Sequence, residues 1–550
     1  MIPLAQAIVE FLKTQGVRYV FGKVGEGVLP ILDSLASQSS IKFISVSREE
    51  TAVLMADGYA RTERQPGIAL VSGGSGAAQT VSALGQAFHD GSPVILFSSE
   101  SPAVQVAREG SKAIEQSLLF RNLTRYSCRV ANPRSAVRDL EQIYRSAMSG
   151  RKGPAYCGIP TDFLAQETSE RIRHHSKFMS LGLNPADPEL IRQASELLIK
   201  SQRPVILLGG GTVWSEAATE AMDLAEFLFA PIAMSNGKSG IVPDDYPLSI
   251  GRLGSKANKI ALETVAEADV VISFGCTFDH RTTLGPAEDL FSPDMKMIQV
   301  DIDPHQIGRF YPIEIGIVGD ARWVLRGILA RLREMGIEKW PSKVIQRMQM
   351  VWKRKEAWNN QWSRPARSAD KPIHRLRLLK DLVDELGREG IIFGELEWKH
   401  CLNTSFFPLI ESHDFPVSGA HLPFAMGAKL ALPDRPVVAF LGDGQFMAVL
   451  NEITTAVEHH VPILTIVAHN GCYGRAKATQ TQFHDGRYIG VDHKYPDLAD
   501  VSLCLGAYAE RVENPLDIRP AIRRALDCNR PAVVEVLING SIGDLKPVFD

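Results

Sequence analysis

The feature that most restricts what this chain can fold into is a unit written twice. "PGIALVSGGSGAAQTVSALGQAFHDGSPVILFSSE" begins at Pro66, and "PVVAFLGDGQFMAVLNEITTAVEHHVPILTIVAHN" begins at Pro436. Each reads proline, apolar strand, glycine-rich turn, helix, short loop, proline, strand. The second prolines, Pro93 and Pro462, fall at nearly the same distance from the first. Any two strand–helix–strand units share their strands; shared loop lengths and matched prolines point further, to two related domains. Other apolar runs, "RPVILLGGG", "ADVVISFGC", "MKMIQVDID" and "RPAVVEVLI", alternate with helix-length segments. A strand that is apolar along its whole length is buried on both faces. Helices between such strands supply the covering layers, so the fold class is α/β with doubly wound parallel sheets. In these sheets ligands bind at the carboxyl ends of the strands, where the glycines and polar residues of this chain collect.

At 550 residues the chain exceeds one ordinary core, so several domains are expected. A hydrophobic share of 45% and a charged share of 22% fit a globular protein. The net charge of -3 offers no field that gathers nucleic acid or an anionic membrane. The opening "MIPLAQAIVEFLKTQGVRYVFG" has neither a basic leader nor a cleavage site, and reads as an amphipathic helix followed by a strand. No apolar stretch reaches the roughly 18 residues of a membrane span. The seven cysteines are scattered without a Cys-x-x-Cys pair, the pattern of reduced thiols in a cytoplasmic enzyme. The segment "PSKVIQRMQMVWKRKEAWNNQWSRPARSADKP" is rich in Lys, Arg and Trp and reads as a solvated linker helix.

The second copy of the repeat carries chemistry. Asp443 stands at the tip of one strand and Asn470 at the tip of the next, one strand–helix–strand unit later. Adjacent parallel strands would bring the two side chains to one edge. With a backbone carbonyl and two phosphate oxygens they could complete the octahedral shell of Mg²⁺. Gly442 and Gly444 allow close backbone approach, and a helix beginning near Gln445 would direct N–H groups at an anion. A lone Gly-Asp-Gly is usually only a turn; the correctly spaced asparagine between apolar strands strengthens the reading.

On these residues the chain resembles the thiamine-diphosphate enzymes of the acetolactate synthase, pyruvate oxidase and benzoylformate decarboxylase type. The resemblance implies that Asp443, Asn470 and the carbonyl of Cys472 bind the metal of the cofactor. The family usually has Asn-Asn where this chain has His469-Asn470. A second family mark is "SREETAVLMADGYAR", where counting back from Gly58-Tyr59-Ala60-Arg61 selects Glu49 over Glu50 as the activating acid. A carboxylate on the ring nitrogen of the cofactor's aminopyrimidine promotes the tautomer whose exocyclic nitrogen takes the thiazolium C2 proton. By itself "REE" is equally the acidic first turn of a helix.

The resemblance covers nearly the whole chain and is closest in pattern to acetolactate synthase. It implies three α/β domains: residues 1–180 pyrimidine-binding, 181–340 central, and 373–550 diphosphate-binding, with 341–372 as linker. It further implies active sites between two subunits of a homodimer or homotetramer, with Glu49 and Asp443 meeting across the interface. Ser418 falls at the position that supports the bent cofactor, where the family keeps a large apolar residue; Val417 and Leu422 are the neighbouring alternatives. "FGELEWKHC" replaces the usual small, polar diphosphate loop. Substrate-side candidates are Glu26, Lys112 and Gln79, with Tyr473 a cofactor and pocket candidate and His484 a weaker one. Glu26 is either a proton shuttle in an apolar pocket or a surface-loop glutamate. In the central region Gly209-Gly210-Gly211 and Asp301 fit a strand-end nucleotide site for FAD or another nucleotide. Cys276-Thr277 stand where an arginine would favour FAD.

The implied activity is a thiamine diphosphate- and Mg²⁺-dependent carbon–carbon lyase or carboligase. Its substrate would be a small 2-oxo acid or acyloin. The alternatives are a simple 2-oxo acid decarboxylase or aldehyde lyase, and a homologue that binds the cofactor without turnover.

Overall fold

The computed structural model describes residues 1–102, 105, 113–168, 171–177, 179, 186–238, 240–254, 259–283, 290–336, 340, 342–394 and 415–540. Among them stand three large parallel sheets, each covered by helices. The first runs Lys42–Ser45, Tyr19–Gly22, Gly67–Val71, Val94–Glu100, Ala155–Pro160, Tyr126–Arg129 in spatial order. The central sheet runs Ser249–Arg252, Ile232–Met234, Pro204–Leu208, Val270–Phe274, Lys296–Asp301, Ile315–Val318. The last runs Ile391–Gly394, Val437–Gly442, Leu464–His469, Ala532–Leu537, Tyr508–Val512.

The first and last sheets repeat one winding. Without the edge strand Lys42–Ser45, both follow the same order, in which the last two strands of each unit are exchanged in space. The two copies of the sequence repeat occupy equivalent central places, Gly67–Val71 beside Val94–Glu100 and Val437–Gly442 beside Leu464–His469. The topology therefore agrees with the relatedness read from the prolines and loop lengths.

These two units share a core. Phe21, Val53, Met55 and Leu84 of the first pack in one apolar cluster with Leu422, Phe424, Phe446 and Val467 of the last. The joint is a pair of crossed helices, Glu49–Glu63 and His421–Ala431. A side chain at Gly58 would lie 2.2 Å from the Phe424 carbonyl, and one at Gly427 would lie 2.1 Å from that of Met55. Glycine on each helix thus admits direct backbone contact. The small residues of "ADGYA" and "AMGAKLA" serve this crossing. Beside it, Arg61 is fully buried, 2.6 Å from Asp57 and 2.8 Å from Asp90, with its guanidinium 4.8 Å from the Phe424 ring centre. Burial raises the Asp57 carboxyl against the pull of Arg61.

The segment read as a solvated linker is helical over Ser342–Ser363, but one face is docked. Met348 and Val351 join the central core, while Arg347 donates to the carbonyls of Pro204 and Thr264. Lys355 reaches the carbonyls of Asp244, Tyr246 and Ser249. Its cations close strand and helix ends of the central unit. No described helix is long and apolar enough to cross a membrane.

Candidate active site

The first half of the site lies at the carboxyl ends of the N-terminal sheet. The strand Tyr19–Gly22 ends at Lys23, the edge strand leads through Ser47 to Glu49, and Gly67–Val71 ends at Ser72. Glu49 and Glu50 both open the helix Glu49–Glu63, where carboxylates suit the helix dipole. The structure separates them. The Glu49 side chain is 12% exposed and turns toward the strand ends. Its Oε1 lies 3.1 Å from where a side chain at Gly76 would begin, and its Oε2 is buried with no hydrogen-bond partner. Glu50 instead accepts from the Ser82 hydroxyl and lies 3.8 Å from Arg48. A buried acceptor without a donor costs about 1–3 kcal/mol. Glu49 therefore fits a group that brings a ring donor to it. The Ser72 hydroxyl is a second buried group without a partner.

The second half lies at the carboxyl ends of the last sheet. Val437–Gly442 and Leu464–His469 are adjacent and parallel, with Gly442 opposite Ala468, so both tips reach one edge. The helix begins at Asp443, two residues earlier than read from the sequence, and ends at Val449. Asp443 is 2% exposed, and both of its oxygens are engaged. Oδ1 accepts from the Gly444 N–H at 2.8 Å; Oδ2 accepts from the Asn470 and Gly471 N–H groups at 3.2 and 2.8 Å. Asn470 Oδ1 accepts from the Cys472 N–H at 3.2 Å. Cys472 forms an antiparallel bridge with Asp492 in which Tyr473 donates to Val491 and His493 donates to Gly471. That pairing turns the Cys472 carbonyl away from its partner. A carboxylate, an amide and a backbone carbonyl on one tight turn are the hard oxygen donors that Mg²⁺ takes. Gln445 Oε1 accepts from the Gly442 N–H at 3.1 Å. Two N–H groups of the turn, those of Gly442 and Gly444, are thus held within the protein, which narrows the anion contacts expected there.

Three side chains neighbour this turn, and two of them, His493 and Glu535, carried no clear signal in the sequence. His493 Nε2 lies 3.1 Å from Asp443 Oδ2 without hydrogen-bond alignment, and its ring lies 3.9 Å from that of Tyr495. Below the turn, His469 Nδ1 meets the fully buried Glu535 at 2.5 Å, while its Nε2 lies 3.6 Å from Asp443. The hydrogen bond to Glu535 raises the His469 pKa against the effect of burial, with Asp443 adding to the rise. Glu535 also accepts from the Leu498 and Ala499 N–H groups. His469 had a signal, being the residue where the family usually has asparagine. Glu535 had none, because only strand pairing brings it under the turn.

The remaining candidates divide. Gln79, Tyr473 and His484 are exposed. Glu26 is exposed in the short turn Glu26–Val28. Lys112 and most of "FGELEWKHC" lie outside the described residues. Ser418 lines a cavity of about 390 Å³ with Arg48, Glu50, Ser82, Val417 and Asn451. Leu422 is fully buried in the core shared by the outer units, Val417 is half-buried against that core, and Ser418 is exposed. Among the described residues no hydrogen bond or ion pair joins Glu49 to Asp443, Asn470 or Cys472.

In the central unit a cleft of mixed charge is lined by Lys238, Asp279, Asp301 and Asp320 together with Arg151 and Lys152 of the first unit. Burial raises the Asp301 carboxyl to about 6. A side chain at Gly209 would lie 2.1 Å from the Gly275 carbonyl, and one at Gly211 would lie 2.7 Å from the Gly275 Cα. These glycines are accounted for by contact between two backbone turns, so they do not by themselves call for a phosphate.

Comparison with known proteins agrees with this arrangement. Residues 2–119 match the N-terminal TPP binding domain of the thiamine pyrophosphate enzymes, residues 191–328 their central domain, and residues 401–536 their C-terminal TPP binding domain. The chain belongs to the thiamine pyrophosphate (thiamine diphosphate) enzyme family, in its acetolactate synthase type, and is an enzyme dependent on that cofactor. It is 30% identical to a probable acetolactate synthase large subunit of Methanocaldococcus jannaschii, over 97% of this chain and 92% of that protein. It is 29% identical to a sulfoacetaldehyde acetyltransferase of Alcaligenes xylosoxydans xylosoxydans, over 98% and 94%. It is 26% identical to the acetolactate synthase isozyme 3 large subunit of Escherichia coli, over 98% and 96%.

Proposed function

We propose that this enzyme breaks or forms a carbon–carbon bond beside a carbonyl, with a small 2-oxo acid such as pyruvate as donor and an aldehyde or ketone as acceptor. Thiamine diphosphate supplies an electron sink for the carbanion. Asp443, Asn470 and the Cys472 carbonyl would hold Mg²⁺ and, through it, the diphosphate. Glu49 would engage the pyrimidine ring as the activating acid. The observation that carries this reading is the buried Oε2 of Glu49, an acceptor without a hydrogen-bond donor among the described residues.

Glu49→Gln tests it. The variant should keep its fold and its affinity for the cofactor, yet lose about 100-fold to 10,000-fold in C2 proton exchange followed by NMR. Exchange at the native rate would overturn the assignment. Product analysis with pyruvate separates the chemistries: acetolactate supports carboligation, and acetaldehyde alone supports simple decarboxylation. Sulfoacetaldehyde belongs in the same panel, given the second relative.

We further propose that the site is completed by a second copy of the chain. Among the described residues no hydrogen bond or ion pair joins Glu49 to Asp443 within one chain, and the elements beside each half expose apolar residues. Val24 and Leu29 are 56% and 48% exposed near the first half, and Tyr473 and Ile489 are 48% and 82% exposed near the second. Mixing Glu49→Gln chains with Asp443→Asn chains should restore exchange, because each mixed dimer contains one intact site. No recovery in a confirmed mixed dimer would overturn the shared site. A cytoplasmic location fits the free cysteines Cys128, Cys157, Cys276, Cys472, Cys504 and Cys528.

A further inference from the structure

We propose that Lys23 is a positioning residue that holds the Glu49 carboxylate in its working orientation, an inference that rests on the reading of Glu49 given above. Lys23 follows the strand Tyr19–Gly22, and its own N–H donates to the Leu70 carbonyl at 3.2 Å, so its backbone is fixed between two strands. Its ammonium donates to the Ser47 carbonyl at 2.7 Å. That bond ties the end of one strand to the loop that delivers Glu49. The same Nζ lies 3.9 Å from Glu49 Oε2, the oxygen that lacks a hydrogen bond.

The geometry acts on the choice between the two carboxylate oxygens. On one side Oε1 faces Gly76, where any side chain would intrude. On the other side a fixed positive charge attracts Oε2. A carboxylate attached by rotatable bonds has several rotamers open to it. Here the glycine gap and the ammonium select one before any ligand arrives. Arrangement in advance lowers the cost of reaching the reactive geometry, and a misplacement of about 1 Å can cost about 100-fold in rate. Lys23 is 42% exposed, and its Ser47 bond takes one of three ammonium protons, so no buried carbonyl cluster explains its presence.

Lys23→Met tests the inference. C2 proton exchange should fall about 10-fold to 100-fold. The calorimetric Kd for thiamine diphosphate with Mg²⁺ should stay within about threefold, and the thermal midpoint should hold. Lys23→Arg should recover most of the exchange rate, whereas Lys23→Gln, which can still donate to Ser47, should not. In a Glu49→Gln background, adding Lys23→Met should change nothing further, since the lysine acts through the carboxylate. Native exchange in Lys23→Met, with exchange lost in Glu49→Gln, overturns the role of Lys23 and leaves that of Glu49 intact. Native exchange in Glu49→Gln overturns the reading of the site itself. A Kd that rises in step with the loss of exchange makes Lys23 a binding contact and overturns positioning, as does full recovery by Lys23→Gln. If Lys23→Met fails to fold, Lys23→Gln and Lys23→Arg decide by the same readouts.

Discussion

The two outer units wind their strands alike and each puts a carboxylate beyond the carboxyl ends of its sheet, Asp443 after a strand of the shared winding and Glu49 after the edge strand that the first unit adds, yet the two carboxylates are finished in opposite ways. Asp443 is engaged through both oxygens by N–H groups of its own turn and the next. It is a fixed group with charge to spare, suited to a cation. Glu49 keeps one buried oxygen without a donor, with a lysine nearby and a glycine gap beside it. It is an acceptor left open, with no hydrogen-bond donor among the described residues. On the proposed reading, one architecture yields an anchoring half and an activating half. The difference lies in how completely the local backbone satisfies the carboxylate.

The largest effect should come from breaking the joint that both halves share. Arg61→Met leaves Asp57 and Asp90 buried without their cation and should cost about 3–5 kcal/mol in urea denaturation. A much smaller loss would mean that the outer units do not depend on this crossing. Next comes the division of labour. Asp443→Asn should raise the Kd for thiamine diphosphate about 100-fold at fixed Mg²⁺, whereas Glu49→Gln should leave it within about threefold. Equal effects on binding would erase the contrast between the halves. Metal removal offers the same contrast in stability. Cofactor with Mg²⁺ at about 100 times its Kd should stabilise the native chain by about 2.7 kcal/mol, and a chelator should abolish the gain. The same additions should leave Asp443→Asn near its unliganded midpoint.

The central cleft sets the control, because at Asp301 burial outweighs the backbone N–H that Asp303 donates to it. Its carboxyl is raised from 3.8 to about 6, chiefly by burial. Between those values the native state holds a proton that the unfolded state has released. Stability from this group is therefore greatest at low pH and falls as pH rises toward about 6, then levels. Asp301→Asn should flatten that fall and gain about 2 kcal/mol at pH 8 relative to pH 4, read from denaturant midpoints. A native chain whose stability does not fall between pH 4 and 6 would show that Arg151 compensates the carboxylate more than its burial allows.

Much of the site was legible because its marks are local. The Gly-Asp-Gly turn, the asparagine one unit later and the acidic start of "EETAVLMADGYAR" each lie within a short stretch, and spacing converts directly into strand, turn and helix. The choice of Glu49 over Glu50 was available only by counting; in the structure the helix turns one carboxylate to the strand ends and the other to Ser82. Lys23, Glu535 and His493 were not found as site residues. Lys23 reaches Glu49, His493 reaches Asp443 and Glu535 reaches His469 through strand pairing or loop return, and side-chain periodicity carries no information about which strands become neighbours. The docked face of Ser342–Ser363 was hidden for a related reason. Its many charges read as solvated, but two of its cations, Arg347 and Lys355, end on backbone carbonyls of the central unit.

The amino-acid order alone settled the number and kind of layered units, the kinship of the first and last, and the short Gly-Asp-Gly turn at a strand end. Those follow from contacts between near neighbours, where rotation per residue and the size of glycine leave few options. Folding in three dimensions decided which acid of an adjacent pair faces inward, which lysine stands beside it, and how closely two helices cross at paired glycines. These depend on packing between distant segments, whose energies belong to the assembled core and to no single stretch of chain.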